Sequence, residues 1–369
     1  MSLRVGFIGY GFMGQAHANA LARLPMFFPE APDTDRHVLC GRNEERVAAA
    51  ADRFGFTHTT DDWETLVDEV DVLYNLGPND LHAEPTIAAL KQDVHVLCEK
   101  PLAASLENAE RMVTAARESD AVAACAFNYR YVPALRLAKE LIEQGTLGEI
   151  RHVRGQYLVD WQADPKHPWV WRNNVERAGY GQVGDVGSHT IDLARWLVGE
   201  ITDVSGRLAT LVDERPAADD ESARPVTTDD IYLATASFES GAVGVFEGSS
   251  VASGHKATNA IEIIGSEGAV RFDLERLNEL EVYDADRRGY ERILVTDDED
   301  PYGERWWPAG HTIGWEHTVV HENYEFLRAI ADEGDGIVSF DEALTVQRIV
   351  DTVVQSDEQG QRLAVETDA

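Results

Sequence analysis

The chain has 369 residues, 44% of them hydrophobic, and is therefore long enough for two domains with separate cores. Its 66 acidic and 32 basic residues give a formal net charge of -34, which would repel nucleic acid and anionic membrane surfaces, so neither is expected as a partner. The acids are spread along the chain, and only five of the basic residues are lysines. This pattern favours adaptation to high salt, as in the cytoplasm of a halophile; an acidic mesophilic enzyme is the alternative.

Cysteine use and hydropathy bear on the compartment. Cys40, Cys98 and Cys125 each lie in an apolar run, which favours buried thiols in a reducing environment over disulfides. Their spacing matches no zinc motif. The first residues enter a strand directly, and no apolar run approaches the length of about 18 residues that a membrane helix needs. We expect a soluble, cytoplasmic protein.

A glycine-rich turn follows the first predicted strand, Leu3–Ile8, and precedes a predicted helix. In a dinucleotide-binding fold, the three glycines of Gly-x-Gly-x-x-Gly permit the tight turn, the approach of a pyrophosphate and the packing of helix on strand. The N-terminus of the helix then holds the phosphate. A glycine turn in an unrelated α/β fold is the alternative. The predicted cofactor contacts in this turn are Gly9, Gly11, Phe12, Met13 and Gly14.

The second predicted strand, 37–40, ends in Gly41-Arg42-Asn43. An acid normally follows this strand in a fold that uses NAD, where it binds the ribose 2′-hydroxyl. Gly41 removes repulsion against a 2′-phosphate, and Arg42 supplies a charged partner for it. We therefore predict contacts from Gly41 and Arg42 and a preference for NADP. Arg42 stacked on the adenine of NAD is the alternative.

Strand and helix patterns alternate up to residue 127, which predicts a doubly wound parallel sheet, that is, an α/β Rossmann domain. Loops at the carboxyl ends of such strands bind ligands. One of these strands ends in Glu99-Lys100-Pro101, where Pro101 cannot continue a ladder. The side chains predicted to lie beside the ribose and nicotinamide of the cofactor are Asn75, Pro78, Asn79, His82, Glu99 and Lys100.

Strand-like segments joined by short turns dominate after a predicted helix at 134–144. They predict an α+β domain with a large open, mostly antiparallel sheet. One face of such a sheet needs a cover, so we expect a homodimer or homotetramer built through it. The segment 213–230 is rich in Pro, Asp, Glu and Ala and is predicted to be a solvated loop. The predicted domains are residues 1–127, which bind the dinucleotide, and 128–369, which bind substrate and form the oligomer.

Asp185, His189 and Asp192 lie where a glycine-rich stretch leads into a predicted helix at 188–197. Their spacing of i, i+4 and i+7 places them on one face if the helix begins near Asp185. A histidine held there by carboxylates has the properties of a general base near neutral pH. As metal ligands, Asp185 and His189 lack a third partner at a suitable spacing, so we predict no metal. A capping role for Asp185 and a core role for His189 are the remaining alternative.

Aromatic and hydrogen-bonding side chains of the second half could hold a polyol, although tryptophans in such a domain more often belong to the core. His317 and His321 are four residues apart, but their order does not match the metalloprotease motif, and we interpret the pair as structural. Weaker candidates are Asn128, Arg130, Tyr131, Asp160, Trp169, Trp171, Trp306, Trp307, His311 and Trp315. The predicted substrate contacts are Lys100, Tyr129, Trp161, Arg172, Asp185 and His189.

Four motifs occur in a fixed order: the glycine turn from Gly9, Glu99-Lys100-Pro101, Phe127-Asn128-Tyr129-Arg130, and Gly184-Asp185-x3-His189. Together they resemble the Gfo/Idh/MocA family of oxidoreductases, and the resemblance covers almost the whole chain. The stretches 156–161 and 306–314 are similar to its branch of levoglucosan dehydrogenase and inositol dehydrogenase-like proteins, and the acidic composition favours a haloarchaeal source. The resemblance implies a Rossmann domain, an open-sheet domain, a dimer or tetramer, and a catalytic set on Lys100, Asp185 and His189. Gly41-Arg42 departs from the acid of NAD-using members.

The predicted reaction is reversible hydride transfer from a carbinol carbon of a sugar, anhydrosugar or cyclitol to C4 of nicotinamide. In it, His189 removes the hydroxyl proton, Lys100 stabilises the developing alkoxide, and Asp185 orients the substrate and tunes the histidine. A catalytically silent dinucleotide-binding sensor or scaffold is one alternative, but it would be expected to lack Lys100 or His189. A NAD-dependent glycosidase is the other, and it would need a metal or a different catalytic set.

Overall fold

The computed structural model describes residues 2–218, 222–284 and 288–366. The chain divides into two compact units: Met1–Asn128 with Gly314–Leu344, and Tyr129–Ile313 with Thr345–Ala369. Residues 314–344 thus pack with the first unit, whereas the sequence places them in the second domain. Such a distant segment carries no local signal of the unit that it joins. None of the described helices combines the length and apolar character needed to cross a bilayer.

The described helices are α1 Phe12–Phe27, α2 Glu44–Phe54, α3 Trp63–Glu69, α4 Ala83–Leu90, α5 Leu106–Arg117, α6 Pro133–Glu143, α7 Val175–Ala178, α8 Gln182–Asp185, α9 Gly187–Val198, α10 Trp315–Ile330 and α11 Phe340–Gln359. The described strands are β1 Leu3–Ile8, β2 Thr34–Cys40, β3 His58–Thr60, β4 Val72–Asn75, β5 His95–Glu99, β6 Ala123–Ala126, β7 Ile150–Leu158, β8 Ile201–Ala209, β9 Glu214–Pro216, β10 Ala223–Pro225, β11 Ile231–Phe238, β12 Val243–Ser249, β13 Thr258–Gly265, β14 Ala269–Asp273, β15 Glu279–Asp284, β16 Gly289–Leu294 and β17 Leu363–Ala364.

The first unit is built on a parallel sheet, in which the described strands follow the order β3-β2-β1-β4-β5-β6. Every residue of β4 is buried, as expected for a strand covered by helices on both faces. Side chains mark the helix starts: Asn43 Oδ1 accepts a hydrogen bond from Arg46 N at α2, and Ser105 Oγ accepts one from Asn108 N at α5. The predicted Rossmann fold is confirmed. The late helix α10 packs against α1 within this unit.

The second unit is built on a large sheet whose described strands follow the order β16-β15-β14-β13-β7-β12-β11-β8-β17. Neighbouring strands are antiparallel except β7 and β12. Along β11, Tyr232, Ala234 and Ala236 are buried and Leu233 is exposed, because alternate side chains point to opposite faces. α9 packs against β7 and β12 of this sheet. The predicted open-sheet domain is confirmed.

The segment 213–230 is not the solvated loop that its composition predicts. It contains the hairpin β9–β10, and the side chain of Arg215 in β9 is fully buried. The Arg215 guanidinium donates hydrogen bonds to the backbone oxygens of Gln162 and Asp164, at 2.9 and 3.1 Å. These hydrogen bonds to both terminal nitrogens compensate in part for burial of an arginine that composition alone does not reveal. Residues 219–221 lie outside the described part of the chain.

Candidate active site

The turn between β1 and α1 has the backbone that a pyrophosphate site requires. Gly9 has a φ of +104°, a conformation that favours glycine. A Cβ atom on Gly14 would lie 2.7 Å from Gly9 O, so the third glycine is needed for helix-on-strand packing. A Cβ atom on Gly11 would meet nothing within 4 Å and would instead project into the space above the turn. α1 starts there without a side-chain cap, so its first N–H groups can receive phosphate oxygens. These residues fit a dinucleotide.

The end of β2 shows why no acid follows this strand. A Cβ atom on Gly41 would lie 2.2 Å from the ring of Tyr10, so a larger residue would displace the tyrosine. Arg42, the next residue, is exposed. The adenosine side of the cofactor site therefore has an aromatic ring and a cation where NAD enzymes place a carboxylate. This arrangement does not repel a 2′-phosphate.

Asn75 and His82, two of the predicted cofactor contacts, shape the loop after β4 from within, and both side chains are fully buried. Asn75 Nδ2 donates to the backbone oxygens of Leu81 and His82, each at 3.0 Å. The His82 ring nitrogens lie 3.0 Å from Gly77 O and 3.1 Å from Pro101 O. His82 thereby ties the β4 exit to the β5 exit. Pro78 and Asn79 of the same loop are half-buried.

Glu99 and Lys100 lie at the end of β5, as predicted. Glu99 is buried and its Oε2 accepts a hydrogen bond from Lys100 N at 3.2 Å. The Lys100 side chain is half-buried, and the peptide bond between Lys100 and Pro101 is cis. The carboxyl end of the sheet therefore presents an amine next to the strand ends that bind dinucleotides.

Glu322 on α10 is a buried acid that the sequence prediction leaves without a role. Neither of its carboxyl oxygens has a hydrogen-bond partner among the described residues. Burial, and after it the charge of Glu99, raises the pKa of Glu322 well above its ordinary value of 4.5. The unfolded chain releases this proton above that ordinary value, whereas the folded chain keeps it. The contribution of Glu322 to the free energy of unfolding is therefore fully present below the ordinary pKa and is lost as the pH rises toward the raised pKa.

We expect Glu322→Gln to be more stable than the wild type near pH 7, by at least about 2 °C in Tm, because a neutral amide cannot ionise on unfolding. Below the ordinary glutamate pKa the two proteins should unfold at similar temperatures. Thermal unfolding at a series of pH values measures the difference. Glu316→Gln, at a half-exposed position of the same helix, is the control and should show no gain that grows with pH. If Tm depended on pH in the same way in Glu322→Gln and in the wild type, the pKa of Glu322 would not be raised by folding.

Asp185 and His189 lie within the second unit, on consecutive helices. Asp185 is the last residue of α8, and His189 is in the first turn of α9. Arg172 Nε lies 3.3 Å from Asp185 Oδ2, and the rings of Tyr129 and His189 have centroids 4.6 Å apart. Tyr129 Oη and Tyr157 Oη are 2.8 Å apart. Burial, and after it Tyr129, raises the pKa of Tyr157, so the phenol stays protonated. Tyr129, a predicted substrate contact, thus adjoins the predicted base, and Arg172 pairs with Asp185.

Asp192 does not share a helix with Asp185. The predicted common face requires one helix from Asp185, but α8 ends at Asp185 and α9 begins at Gly187. Asp192 pairs with Arg130, with Nη2 and Oδ1 2.6 Å apart and both side chains buried. Its charge is therefore balanced by the buried guanidinium of Arg130.

The predicted substrate contact Trp161 and several of the weaker candidates have local partners. Trp161 is half-exposed and contacts the His167 ring, Trp169 Nε1 donates to Pro225 O, and Trp171 lies under the guanidinium of Arg172. His317 is buried within the first unit, where it contacts Arg23 Nη2 and accepts a hydrogen bond from Gly314 N. These contacts support the structural interpretation of His317. Among the described residues, no group of three His, Cys, Asp or Glu side chains could hold a metal ion.

Sequence reasoning missed Asp229, which supports the start of α8, the helix that carries Asp185. Its carboxylate accepts hydrogen bonds from Gly181 N and Val183 N at 3.0 and 3.1 Å, at the start of α8. Burial raises the pKa of Asp229 to about 6, although these hydrogen bonds lower it. Acidic residues just before a strand are the only signal in the sequence, and 213–230 has too many of them to single this one out.

Comparisons with known proteins define the class. Residues 3–127 match the model of an oxidoreductase family with an NAD-binding Rossmann fold, and residues 135–271 match the GFO/IDH/MocA C-terminal domain. The chain is 42% identical to levoglucosan dehydrogenase from Pseudarthrobacter phenanthrenivorans over 96% of each chain. It belongs to the Gfo/Idh/MocA family and is an oxidoreductase.

Comparison with solved structures supports the same family assignment. An oxidoreductase domain protein from Kribbella flavida is 43% identical, with a TM-score of 0.96 over 100% of both chains. A levoglucosan dehydrogenase in complex with NADH and levoglucosan is 41% identical, with a TM-score of 0.95 over 99% of this chain and 100% of that one. These relatives support NAD and give no support to the predicted NADP preference or haloarchaeal source. They also do not favour the silent sensor or the glycosidase.

Proposed function

We propose that this protein oxidises a secondary hydroxyl group of an anhydrosugar, or of a related sugar or cyclitol, with NAD as hydride acceptor. The observation that supports the proposal is a pair of contacts on the consecutive helices α8 and α9: Arg172 with Asp185, and Tyr129 with His189. The 42% identity to levoglucosan dehydrogenase, over 96% of this chain, supports an anhydrosugar as the substrate class.

Each side chain has a distinct role in this proposal. His189 accepts the hydroxyl proton, since a histidine can act as a base near neutral pH. Lys100 donates a hydrogen bond to the same oxygen and stabilises negative charge as it develops. Asp185, paired with Arg172, orients the substrate hydroxyls and tunes His189, while Tyr129 and Trp161 offer ring faces to the sugar. The glycine turn, Gly41 and Arg42 hold the dinucleotide, whose nicotinamide supplies the redox chemistry when bound.

We propose that NADP is accepted beside NAD, because the β2 exit has Arg42 and no carboxylate. The test of the function is a panel of anhydrosugars, aldoses and cyclitols, each with NAD and with NADP, followed by the absorbance of the reduced nicotinamide. We expect turnover with levoglucosan and NAD, and slower turnover with NADP. No turnover with any alcohol, or redox-silent hydrolysis of a chromogenic glycoside, would refute the proposal.

We also propose that two copies of the chain associate through the open face of the large sheet. Leu233, Val243 and Val245 are each at least 41% exposed on β11 and β12, beside a groove of about 770 Å³. Apolar side chains on an exposed sheet favour a protein partner. Arg154 and Arg271 also lie by Glu262 on this face, so it offers both charges to a second copy.

We expect the wild type to be a dimer or tetramer and Val245→Glu to shift it toward the monomer, because a charge would be buried in the interface. Light scattering coupled to size-exclusion chromatography measures the mass. Leu211→Glu, at a 62% exposed position outside the sheet strands, is the control and should keep the wild-type mass. A monomeric wild type, or an unchanged mass for Val245→Glu, would rule out this interface.

Finally, we propose that the acidic surface is adapted to high salt. With a net charge of -34, self-repulsion should lower stability in dilute buffer, and screening should relieve it. We expect Tm to rise by more than about 10 °C between roughly 0.05 and 3 M KCl, with a large share of the rise below about 0.5 M, where the Debye length changes most. Sucrose at matched osmolality is the control for general exclusion effects. A Tm that does not depend on KCl would refute this proposal.

A further inference from the structure

A line of buried polar contacts runs through the first unit toward Lys100, starting on α10. Asn323 Nδ2 donates a hydrogen bond to Val319 O at 2.7 Å and lies 2.9 Å from His17 Nδ1. An amide nitrogen only donates, so His17 Nδ1 must be the acceptor. The proton of a neutral His17 is then on Nε2. Asn323 thus fixes the tautomer of a fully buried histidine.

The Nε2 side of His17 faces the end of β5. His17 Nε2 lies 3.5 Å from Glu99 Oε1, and the other oxygen of the same carboxylate accepts the hydrogen bond from Lys100 N. The His17 ring also packs edge-on against Tyr74 of β4, with centroids 5.4 Å apart. Glu99 therefore lies between the imidazole of His17 on α1, with which it has an electrostatic contact, and the backbone N–H of the lysine that follows it.

We propose that Asn323 and His17 are positioning residues for Lys100 and act on it through the Glu99 carboxylate. The proposal rests on the proposed function, in which Lys100 stabilises the developing alkoxide. Lys100 must place its amine within hydrogen-bonding distance of one oxygen, and a small displacement of its backbone moves that amine by a similar distance. Contacts from α10 and α1 thus hold the end of β5, from which the Lys100 side chain extends.

The buried titratable groups that the described interactions place beside this line are Glu322, Tyr74, His82 and Cys98. Burial lowers the pKa of His82 and raises the pKa of the Cys98 thiol, so both are neutral near pH 7. Burial raises the pKa of Glu322, as described above, and burial is also the main cause that raises the pKa of Tyr74, so both groups stay protonated near neutral pH. Glu99 is then the carboxylate of the cluster toward which His17 Nε2 points. A second ionised carboxylate would compete with Glu99 for the contact with His17 Nε2.

The test uses the small number of lysines. In protein labelled with ¹⁵N-lysine, a TROSY spectrum contains five backbone lysine signals, and the loss of one in Lys100→Met assigns Lys100. His17→Leu should displace the Lys100 signal and lower kcat about 10- to 100-fold with KM within about threefold of the wild type. His17→Gln, which retains an N–H donor, should restore the signal position and most of kcat. Asn323→Leu should displace the signal in the same direction.

The control is His321→Leu on the same helix, at a buried histidine whose ring packs against Phe28. It should lower Tm without moving the Lys100 signal or changing kcat. A Lys100 signal that stays in place in both His17→Leu and Asn323→Leu, or a kcat loss equal in His17→Leu and His17→Gln, would overturn the proposal. If the wild type oxidises no alcohol of the panel, the proposed function fails, and the spectra still decide whether the line positions Lys100.

Discussion

Lys100→Met and His189→Ala should each lower kcat about 10²- to 10⁴-fold while leaving the affinity for the dinucleotide within about threefold. Methionine keeps the length and apolar part of the lysine but donates no hydrogen bond, so the charge that develops on the substrate oxygen loses its partner. Alanine at position 189 removes the base and leaves proton transfer to water. Steady-state kinetics with levoglucosan measures kcat, and nicotinamide fluorescence measures cofactor binding.

Lys91→Met is the matched control for Lys100→Met, because Lys91 is an exposed lysine of the first unit at the end of α4. It should turn over at the wild-type rate. Near-normal kcat in both Lys100→Met and His189→Ala would overturn the assigned roles. A loss of cofactor binding in Lys100→Met would instead give that lysine a binding role.

The largest loss of stability is expected at the buried pair between Arg130 and Asp192. Asp192→Leu should lower the free energy of unfolding by about 3–5 kcal/mol, because it leaves the guanidinium buried without its counter-charge. Arg130→Met in the same protein should recover much of this loss, since both charges are then absent. Urea unfolding followed by tryptophan fluorescence measures all three proteins.

An exposed pair serves as the control for this prediction. Lys139 and Glu143 are 3.3 Å apart at i, i+4 on α6, and Lys139→Met should cost less than about 1 kcal/mol. If Asp192→Leu were as stable as the wild type, Arg130 would have another way to satisfy its charge. If the double variant were as unstable as the single one, packing and not charge would account for the loss.

Local patterns predict most of the elements. The bounds of β1 equal the predicted ones, and those of α6 and α9 lie within one residue of the predicted 134–144 and 188–197, because apolar periodicity and turn residues coincide at their ends. The glycine turn could be predicted because Gly9, Gly11 and Gly14 each meet a steric requirement of a strand-turn-helix unit. Short elements such as α3 and the hairpin β9–β10 were not predicted, since a few residues carry too little periodicity.

Long-range pairing accounts for what could not be predicted at the site. Asp192 follows His189 at a helical spacing, and spacing alone cannot show that Arg130 takes up its charge. His17 and Asn323 are 306 positions apart, and only packing of α10 on α1 brings them together. Asp229 supports α8 from a segment whose composition resembles a solvated loop. In each case the decisive partner is distant in the chain, and no pattern near the residue specifies it.

Direct hydride transfer is the central claim, and isotope transfer tests it most directly. Levoglucosan that carries deuterium on all its carbon atoms should be incubated with the protein and unlabelled NAD, and the reduced cofactor analysed by mass spectrometry. We predict one deuterium in each reduced nicotinamide, because the hydrogen leaves the carbinol carbon and does not exchange with water. A reduced cofactor without deuterium, or oxidised sugar without reduced cofactor, would contradict the account.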